Sequence, residues 1–329
     1  MARHAARHRF SSAKNISLWL TVLIGAAALA IALYTRFVHV VPQGPLRIGT
    51  WNLQWFGQEQ NRPPPCDRPR TAEEIRGIAA YIHEIGFQLL AVEEIAGDQP
   101  MHRLNQYLAD ASGQPWTSYV SNDGYMLQLG FLWNKDRVHL ADVGVIHLPR
   151  FVTWRDVPDL PDPYESLHIF PRLPIKALVT DKLTGMDFLL IAVHLKSQVS
   201  NPESPPPSLV QREEVRALRR WIEEYVAVPG NDRDVILVGD FNFGPQNELF
   251  AELLRGSLFL SALPDKPKPT WKSHWTIDHI FVSPDALPEW GGSPLTVHDE
   301  KYLLDKDLFL CGFSDHMPVS LDLAGHPDD

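Results

Sequence analysis

Six polar sites punctuate the apolar runs of this 329-residue chain, and their residue types suit one chemistry. Asn52 closes RIGTWNL, Glu93 and Glu94 close LLAVEE, and His194 closes FLLIAVH. Asp240 and Asn242 end VILVGDFN, Asp278 and His279 lie within TIDHIFVS, and Asp315 and His316 precede MPVSLDL. Carboxylates grouped with an amide oxygen suit hard cations such as Mg²⁺ or Mn²⁺. Histidines beside carboxylates suit proton transfer, or the stabilisation of a charged phosphorane-like state. Each site alone has a plain structural explanation. Asn52 and GDFN fit strand-end turns, Glu94 fits a solvated charge, His194 a hydrogen-bonded core histidine, and Asp315-His316 a turn cap. It is the order and combined content of the six that point to chemistry.

Such a set needs a scaffold that aims several strand ends at one rim, a common place for a site. Apolar, strand-like runs occur at Leu46–Leu53, Gln88–Ile95, Gln128–Trp133, Ile175–Thr180, Asp187–Leu195, Asp234–Phe241, Thr276–Val282 and Met317–Leu323. Helical periodicity appears at Ala72–Ile85, where Thr71 and Glu74 fit a capping box, and again at Met101–Ala111, Leu209–Val228 and Asn247–Leu254. Mixed strands and helices along one chain predict an α/β or α+β domain with at least one sheet. Proline-rich Asn61–Arg70, Pro149–Pro174 and Asn201–Ser208 read as loops. The long middle one carries Phe151, Trp154, Tyr164, His168 and Phe170, and reads either as a wall of the substrate site or as a surface insertion.

Ahead of the body, Asn15 to Thr35 is free of charge and mostly apolar, long enough to span roughly 30 Å of hydrocarbon. Arg3, Arg7, Arg9 and Lys14 precede it, which by the positive-inside rule keeps the N-terminus cytoplasmic and the body outside, periplasmic or extracellular. A cleaved signal peptide is the competing reading. Its apolar region is normally only about 7–15 residues, and Tyr34-Thr35-Arg36-Phe37 is no obvious cleavage site. The chain thus divides into a basic tail (1–14), a transmembrane anchor (15–36), a linker (37–46), a catalytic body (47–324) and a short tail (325–329).

The formal net charge is −10, and the basic N-terminus makes the body more acidic still. An acidic body does not draw polyanions by bulk charge, so a phosphate-bearing substrate must meet local basic groups or bound cations. Cys66 and Cys311 form no CxxC pair, which leaves a cysteine zinc site unsupported. They read as a disulfide, if the body is exported, or as two separate thiols.

The successive segments TWNLQWF, LLAVEEI, GFLWNKDRV, AVHLKS, LVGDFNFGP, TIDHIFVS and SDHMPVSLDL, spread from Arg47 to Leu323, resemble the endonuclease/exonuclease/phosphatase superfamily, deoxyribonuclease I-like. GDFN followed by SDHMP near the C-terminus is the most specific part. The resemblance implies an α/β (α+β) four-layer sandwich, two mixed β-sheets packed face to face and flanked by helices. It implies that Asn52 and Glu94 help to hold a metal ion, Mg²⁺ or Mn²⁺, with Glu93 replacing the family's usual glutamine. Asp240 would position or deprotonate the attacking water, and Asn242 would hold a phosphate oxygen. His316 would touch the scissile phosphate, with Asp278 orienting its ring and Asp315 supporting metal or histidine. His194 matches a second phosphate-contacting histidine of the deoxyribonuclease I and sphingomyelinase branches. Exonuclease III-like enzymes tend to carry tyrosine there, which points away from abasic-site repair.

Substrate is open between classes. A nuclease acting on DNA or RNA is favoured by basic residues in loops: Arg62, Arg68 and Arg70, then Arg150 and Arg155, then Lys266, Lys268 and Lys272. Ordinary solvated surface explains them equally simply. A sphingomyelinase-like phospholipid phosphodiesterase would profit from the anchor, with Phe151–Trp154 and Leu308–Leu310 as membrane-docking segments. A phosphomonoesterase uses the same core, and a membrane-tethered binding protein on an inactive fold is the alternative outside enzymology.

Overall fold

A computed structural model of the chain describes residues 43–58, 66–153, 155–157, 165–200 and 204–324, and the compact body begins at Gln43. The expected basic tail, anchor and C-terminal tail, most of the linker, and Arg62, Trp154 and Tyr164 lie outside these residues. Among the described residues no helix is long and apolar enough to cross a membrane.

The strands are β1 (Leu46–Phe56), β2 (Leu89–Ile95), β3 (Trp116–Val120), β4 (Gln128–Asn134), β5 (Val138–Val145), β6 (Phe151–Thr153), β7 (Ser166–His168), β8 (Ile175–Asp181), β9 (Asp187–His194), β10 (Val235–Asp240), β11 (Leu260–Ser261), β12 (Asp278–Val282), β13 (Thr296–Val297) and β14 (Val319–Leu323). The α-helices are α1 (Ala72–Ile85), α2 (Asp98–Ser112), α3 (Pro207–Val226), α4 (Glu248–Leu254), α5 (Leu287–Trp290), α6 (Glu300–Leu304) and α7 (Lys306–Gly312). One six-stranded sheet runs β13-β14-β1-β2-β4-β3 and the other β11-β12-β10-β9-β8-β5. Both are mixed: β1 pairs with β2 and β9 with β10 in parallel, and their other pairings are antiparallel.

Alternation along β9 shows how the layers form. Phe188, Leu190 and Ala192 join a core shared with Ile48, Leu90 and Val92 of the other sheet. Leu189, Ile191 and Val193 face the opposite way and pack with Leu218 and Ile222 of α3. With both faces covered, the strand reads as one continuous apolar run. Ile78 and Ile82 of α1 and Leu104 and Leu108 of α2 complete the other flank. The result is the expected pair of mixed sheets between helices.

Local signals place the helices. Thr71 Oγ1 accepts from Glu74 N while the Glu74 carboxylate accepts from Thr71 N, the capping box predicted for α1. The helix stops at Gly86, left-handed at φ 84°, where a glycine carries no Cβ penalty. α3 starts two residues before the predicted Leu209, because Pro207 suits a first helical turn whose N–H needs no partner. The predicted loop Pro149–Pro174 holds the small hairpin β6–β7, pairing Phe151 with His168. Three-residue strands are too short to show a period. β5 also went unread, since only Val138 of VHLADVGV is fully buried and the exposed His139, Ala141 and Asp142 break the apolar pattern.

Two buried acids tie the body together. Arg137 Nε and Nη2 donate to Asp181 at 2.5 and 2.9 Å, both side chains being fully buried, and Nη2 also donates to Gly44 O at 2.9 Å. Burial is tolerable because the pair's remaining hydrogen-bonding capacity is used, Asp181 also accepting from Leu183 N and Thr184 Oγ1. Glu214 on α3 accepts from Phe170 N at 3.1 Å and Lys196 N at 2.9 Å, and burial pushes its carboxyl from 4.5 up to about 7. Between those values the folded chain keeps a proton that the unfolded chain has lost. The stability this contributes is full below about pH 4.5 and is lost as pH rises through 7, on the order of 3 kcal/mol. Glu214→Gln should therefore flatten the fall in melting temperature between about pH 5 and 8. Equal slopes for variant and wild type would contradict this.

Cys66 and Cys311 are disulfide-bonded, with Cα atoms 5.1 Å apart across 245 residues of sequence. Of the two readings left open above, pairing is the one the fold realises.

Candidate active site

The parallel neighbours β1 and β2 both become irregular at their C-terminal ends, with register shifts between Asn52 and Phe56 and between Val92 and Ile95. Gln54, Trp55 and Glu94 there are left-handed, at φ 44°, 53° and 62°. Such residues cost about 1–3 kcal/mol each and persist where surroundings over-determine them. Here Gln54 N donates to Asn52 Oδ1 at 2.9 Å, and Trp55 N to Glu94 Oε2 at 3.1 Å. The kink turns Glu94 into the cleft, whereas Glu93 stays buried with the Thr50 hydroxyl donating to it. Burial holds Glu93 well above the carboxylate range. A neutral carboxylic acid has nearly the shape of a glutamine amide.

The second sheet contributes three adjacent strand ends. β9 pairs His194 with Asp240 of β10, and β12 pairs Asp278 with that same Asp240. Gly239 makes the close approach possible: at φ 140° it tolerates a conformation that L side chains avoid, and a Cβ would strike the Val193 carbonyl. Asp240 Oδ1 accepts from Asn242 N at 2.9 Å and Oδ2 from Asn52 Nδ2 at 3.1 Å. Its Oδ2 lies 3.5 Å from His194 Nε2 and 3.8 Å from His316 Nε2. His316 Nδ1 stands 3.1 and 3.0 Å from the two Asp278 oxygens, which fixes the ring and leaves Nε2 toward the cleft. Ser314 Oγ donates to Asn52 O at 2.6 Å, and Trp51 Nε1 donates to His316 O at 2.9 Å, which ties the segment before β14 to β1 of the same sheet, while Asn52–Asp240 and His316–Asp278 join that sheet to the other.

Electrostatics sort the roles. Burial, reinforced by Asp278, pushes the Asp240 carboxyl up to about 7, against the pull of His316. Burial opposes charge on His316, yet Asp278 and Asp240 raise it well above its ordinary range. His194 is held well below its ordinary range, by burial first and then by Arg172 and His316. The site thus pairs a cationic imidazole with a neutral one around a carboxylate poised near neutrality. That arrangement suits proton handling and the stabilisation of a phosphate anion.

All eight expected residues gather here. Asn52, Glu94, His194, Asp240, Asp278 and His316 form one network of hydrogen bonds and close charges. Asn242 and Asp315 line the same cleft, of about 440 Å³. Asp315 accepts from Trp271 Nε1 at 3.1 Å and lies 3.0 Å from Lys272 Nζ; against burial, His316 and Lys272 hold its carboxyl low. Asn52, as placed, turns its amide nitrogen toward Glu94 and Asp240, so its oxygen reaches a cation only if the amide turns over. Asp240, Asp278 and His316 bring their ligand atoms within 4.8 Å of one another. Two carboxylates of this group, with Glu94 linked to Asp240 through Asn52 Nδ2, offer the oxygen donors that suit a hard divalent cation.

Several residues escaped the sequence. Arg172, in the loop before β8, donates from Nη2 to Leu195 O at 3.4 Å, the carbonyl that also accepts from Asn242 Nδ2 at 3.1 Å. Its guanidinium lies over Tyr125, 5.5 Å from the ring centroid. Trp55, Trp271 and Trp275 wall the cleft. His279, by contrast, donates from Nε2 to Phe243 O at 2.8 Å, among phenylalanines, and is structural. Among the described basic loop residues, Arg70 and Arg150 bind backbone carbonyls and Lys272 pairs with Asp315, whereas Arg68 and Lys268 form exposed ion pairs with Glu74 and Asp299, and Arg155 and Lys266 are exposed.

Residues 49–316 match the model of the endonuclease/exonuclease/phosphatase family, a span that includes every residue of this site. The chain belongs to that family. Enzymes of the endonuclease/exonuclease/phosphatase family are phosphoric ester hydrolases dependent on divalent metal, and the buried carboxylates of this cleft fit such an ion. A deoxyribonuclease from Thioalkalivibrio sp. (strain K90mix) is 26% identical over 246 residues, covering 72% of this chain and 53% of the relative. The chain thus spans about half the length of that curated relative. Among solved structures it resembles the 3′ phosphatase NExo from Neisseria, bound to a product DNA hairpin (TM-score 0.55, 17% identity, covering 84% of this chain and 99% of that one). It also resembles the mannosyl-6-phosphatase Bt3783 from Bacteroides thetaiotaomicron (TM-score 0.55, 15% identity, 84% and 99%). At these identities the structural likeness shows the fold alone.

Proposed function

We propose that the chain is a nuclease that hydrolyses DNA or RNA by in-line attack of water, using Mg²⁺ or Mn²⁺. The observation that carries this reading is the wall of the cleft. Trp275, 56% exposed, borders both the 440 Å³ cleft and a second cleft of about 570 Å³, and Gln198 also lines both. An exposed indole beside a phosphate-handling centre is a stacking surface for a nucleobase. The relative named a deoxyribonuclease supports the same choice. Of the basic loop residues, Arg70 and Arg150 are engaged by backbone carbonyls, which leaves the exposed Arg155, Lys266 and Lys268 as the ones able to meet a nucleic acid backbone.

In this reading Asp240 accepts a proton from the attacking water, and the His316 cation, steered by Asp278, stabilises charge on the phosphate oxygens. Neutral His194 and Asn242 line the other side, with Arg172 behind them on the Leu195 carbonyl. Glu94, with Asn52, would hold the divalent ion, which supplies Lewis-acid charge against phosphate oxygens.

The disulfide supports an export route for the body, because such bonds persist in oxidising compartments. We propose that residues 15–36 anchor it, with the catalytic body outside. The lipid reading has one specific support, the exposed Leu303, Leu304 and Leu308 on α6 and α7.

The deciding assay offers plasmid DNA, single-stranded RNA and sphingomyelin vesicles to the full-length chain, with Mg²⁺ or Mn²⁺ and with chelator. Metal-dependent cutting of nucleic acid is expected. Release of headgroup with nucleic acid left intact would replace the nuclease by a phospholipid phosphodiesterase, and silence on all three would sink both.

A further inference from the structure

Arg70 stands outside the cleft, in the segment between Cys66 and α1, yet its guanidinium touches the backbone that shapes the site. Nη2 donates to Leu53 O at 2.7 Å and to Phe313 O at 2.5 Å, and Nη1 donates to Gln54 O at 2.9 Å. The carbonyl of Leu53 shares its rigid peptide plane with Gln54 N, and that of Gln54 with Trp55 N. Those two N–H groups are the ones that donate to Asn52 Oδ1 and Glu94 Oε2. Pulling the two carbonyls to one side therefore aims the two N–H groups to the other, toward the expected metal-holding side chains. The third carbonyl, of Phe313, precedes Ser314, whose hydroxyl donates to Asn52 O and accepts from His316 N. One cation thus fixes the left-handed end of β1 and the segment that delivers Asp315 and His316.

The disulfide holds that cation in place. Cys66 lies four residues before Arg70, and Cys311 lies in α7, three residues before Ser314. The Cys66–Cys311 bond therefore closes a strap over the same two chain segments that Arg70 bridges. The Arg70 guanidinium also rests 5.8 Å from the Phe56 ring centroid, at the last residue of β1.

We propose that Arg70 is a positioning residue for hydrolysis, and that the Cys66–Cys311 disulfide keeps it seated, so that activity depends on an intact bond while the two-sheet core does not. The inference rests on the hydrolytic reading of the cleft. Lysine keeps the charge but has no fork of planar donors, so it cannot serve three carbonyls in this geometry. Small misplacements of reacting groups cost about 100-fold in rate.

The test compares full-length wild type, Arg70→Lys, and the double variant Cys66→Ser/Cys311→Ser, with rates normalised to folded protein. Hydrogen–deuterium exchange reads the strap without any substrate. Exchange at Gln54, Trp55 and His316 is expected to quicken at least about 10-fold in Arg70→Lys, with β10 and β12 unchanged. With nucleic acid and Mn²⁺, kcat is expected to fall about 100-fold while KM stays within about 3-fold. The serine pair is expected to move the same amides and the same kinetic constant. Unchanged exchange in these amides, or a lowered melting temperature with full kcat per folded molecule, would overturn the proposal. If Arg70→Lys does not fold, the serine pair decides by the same readings. A wild type that hydrolyses nothing offered would fail the nuclease reading, and the exchange result would still decide the strap.

Discussion

His316→Gln is expected to lower kcat by about three orders of magnitude while leaving KM nearly unchanged. Asp278 uses both carboxylate oxygens to hold His316 Nδ1, at 3.1 and 3.0 Å, and so aims Nε2 at the cleft within 3.8 Å of Asp240. Asp278 and Asp240 also keep the imidazole charged, against the cost of its burial. The charge is therefore already in place where negative charge grows on the phosphate, and the site need not reorganise during the reaction. Glutamine is the better replacement because its amide can still donate to Asp278. Alanine would leave buried carboxylates without a cation, and that alone costs about 3–5 kcal/mol of stability. Asp240→Asn should produce a loss of similar size. Combining the two should add little, because groups that act as one unit do not contribute independently. Initial rates at saturating substrate, with circular dichroism to confirm folding, check this. A His316→Gln enzyme within tenfold of wild type would remove His316 from the catalytic set.

Stripping divalent cations is expected to cost hydrolysis about 10³-fold or more, restored by Mg²⁺ or Mn²⁺. The reason lies in the donor set. Glu94, Asp240 and Asp278 converge on a buried floor, and Asp278 is already committed to His316. Glu94 is the carboxylate that a left-handed backbone turns into the cleft, with Trp55 N holding Oε2 at 3.1 Å and Oε1, 3.3 Å from Asn52 Nδ2, facing the cluster. A ligand that binds only the folded state raises stability by mass action, which gives a reading independent of turnover. Added Mn²⁺ should raise the melting temperature of wild type and do so far less in Glu94→Gln, whose Mn²⁺ affinity should fall about 100-fold by calorimetry. Equal Mn²⁺ affinity in the two proteins would place the ion elsewhere, with the Asp240–Asp278–His316 group as the next site to examine.

Much of the scaffold was readable from local pattern. α1 begins and ends where its capping box, apolar spacing and terminal Gly86 place it. The apolar runs of β9 and β10 are long because both faces of each strand are covered, and their polar ends mark His194 and Asp240. Elements with one wet face or only three residues, such as β5 and β6, carry too little period to be seen. The site residues were legible as types at strand ends. Their partners were not, because those partners arrive from afar: Asn52 meets Asp240 across 188 residues, and Asp278 meets His316 across 38.

The same limit explains what was misjudged. Loop arginines look alike in sequence, but Arg70 and Arg150 spend their donors on carbonyls inside the fold, while Arg172, which was not singled out, stands beside His194 and Asn242. A charge's role depends on which acceptors surround it, and composition does not contain that. Cys66 and Cys311 were two thiols or one bond until the fold brought their Cα atoms to 5.1 Å. By itself the sequence determined the strand-end chemistry, the helices and the family resemblance, because residue type, periodicity and motif order are local properties of the chain. The tertiary structure decided which of two adjacent glutamates enters the cleft, which histidine is charged and which cation serves as a strap, because each of these depends on burial and on neighbours that only folding supplies.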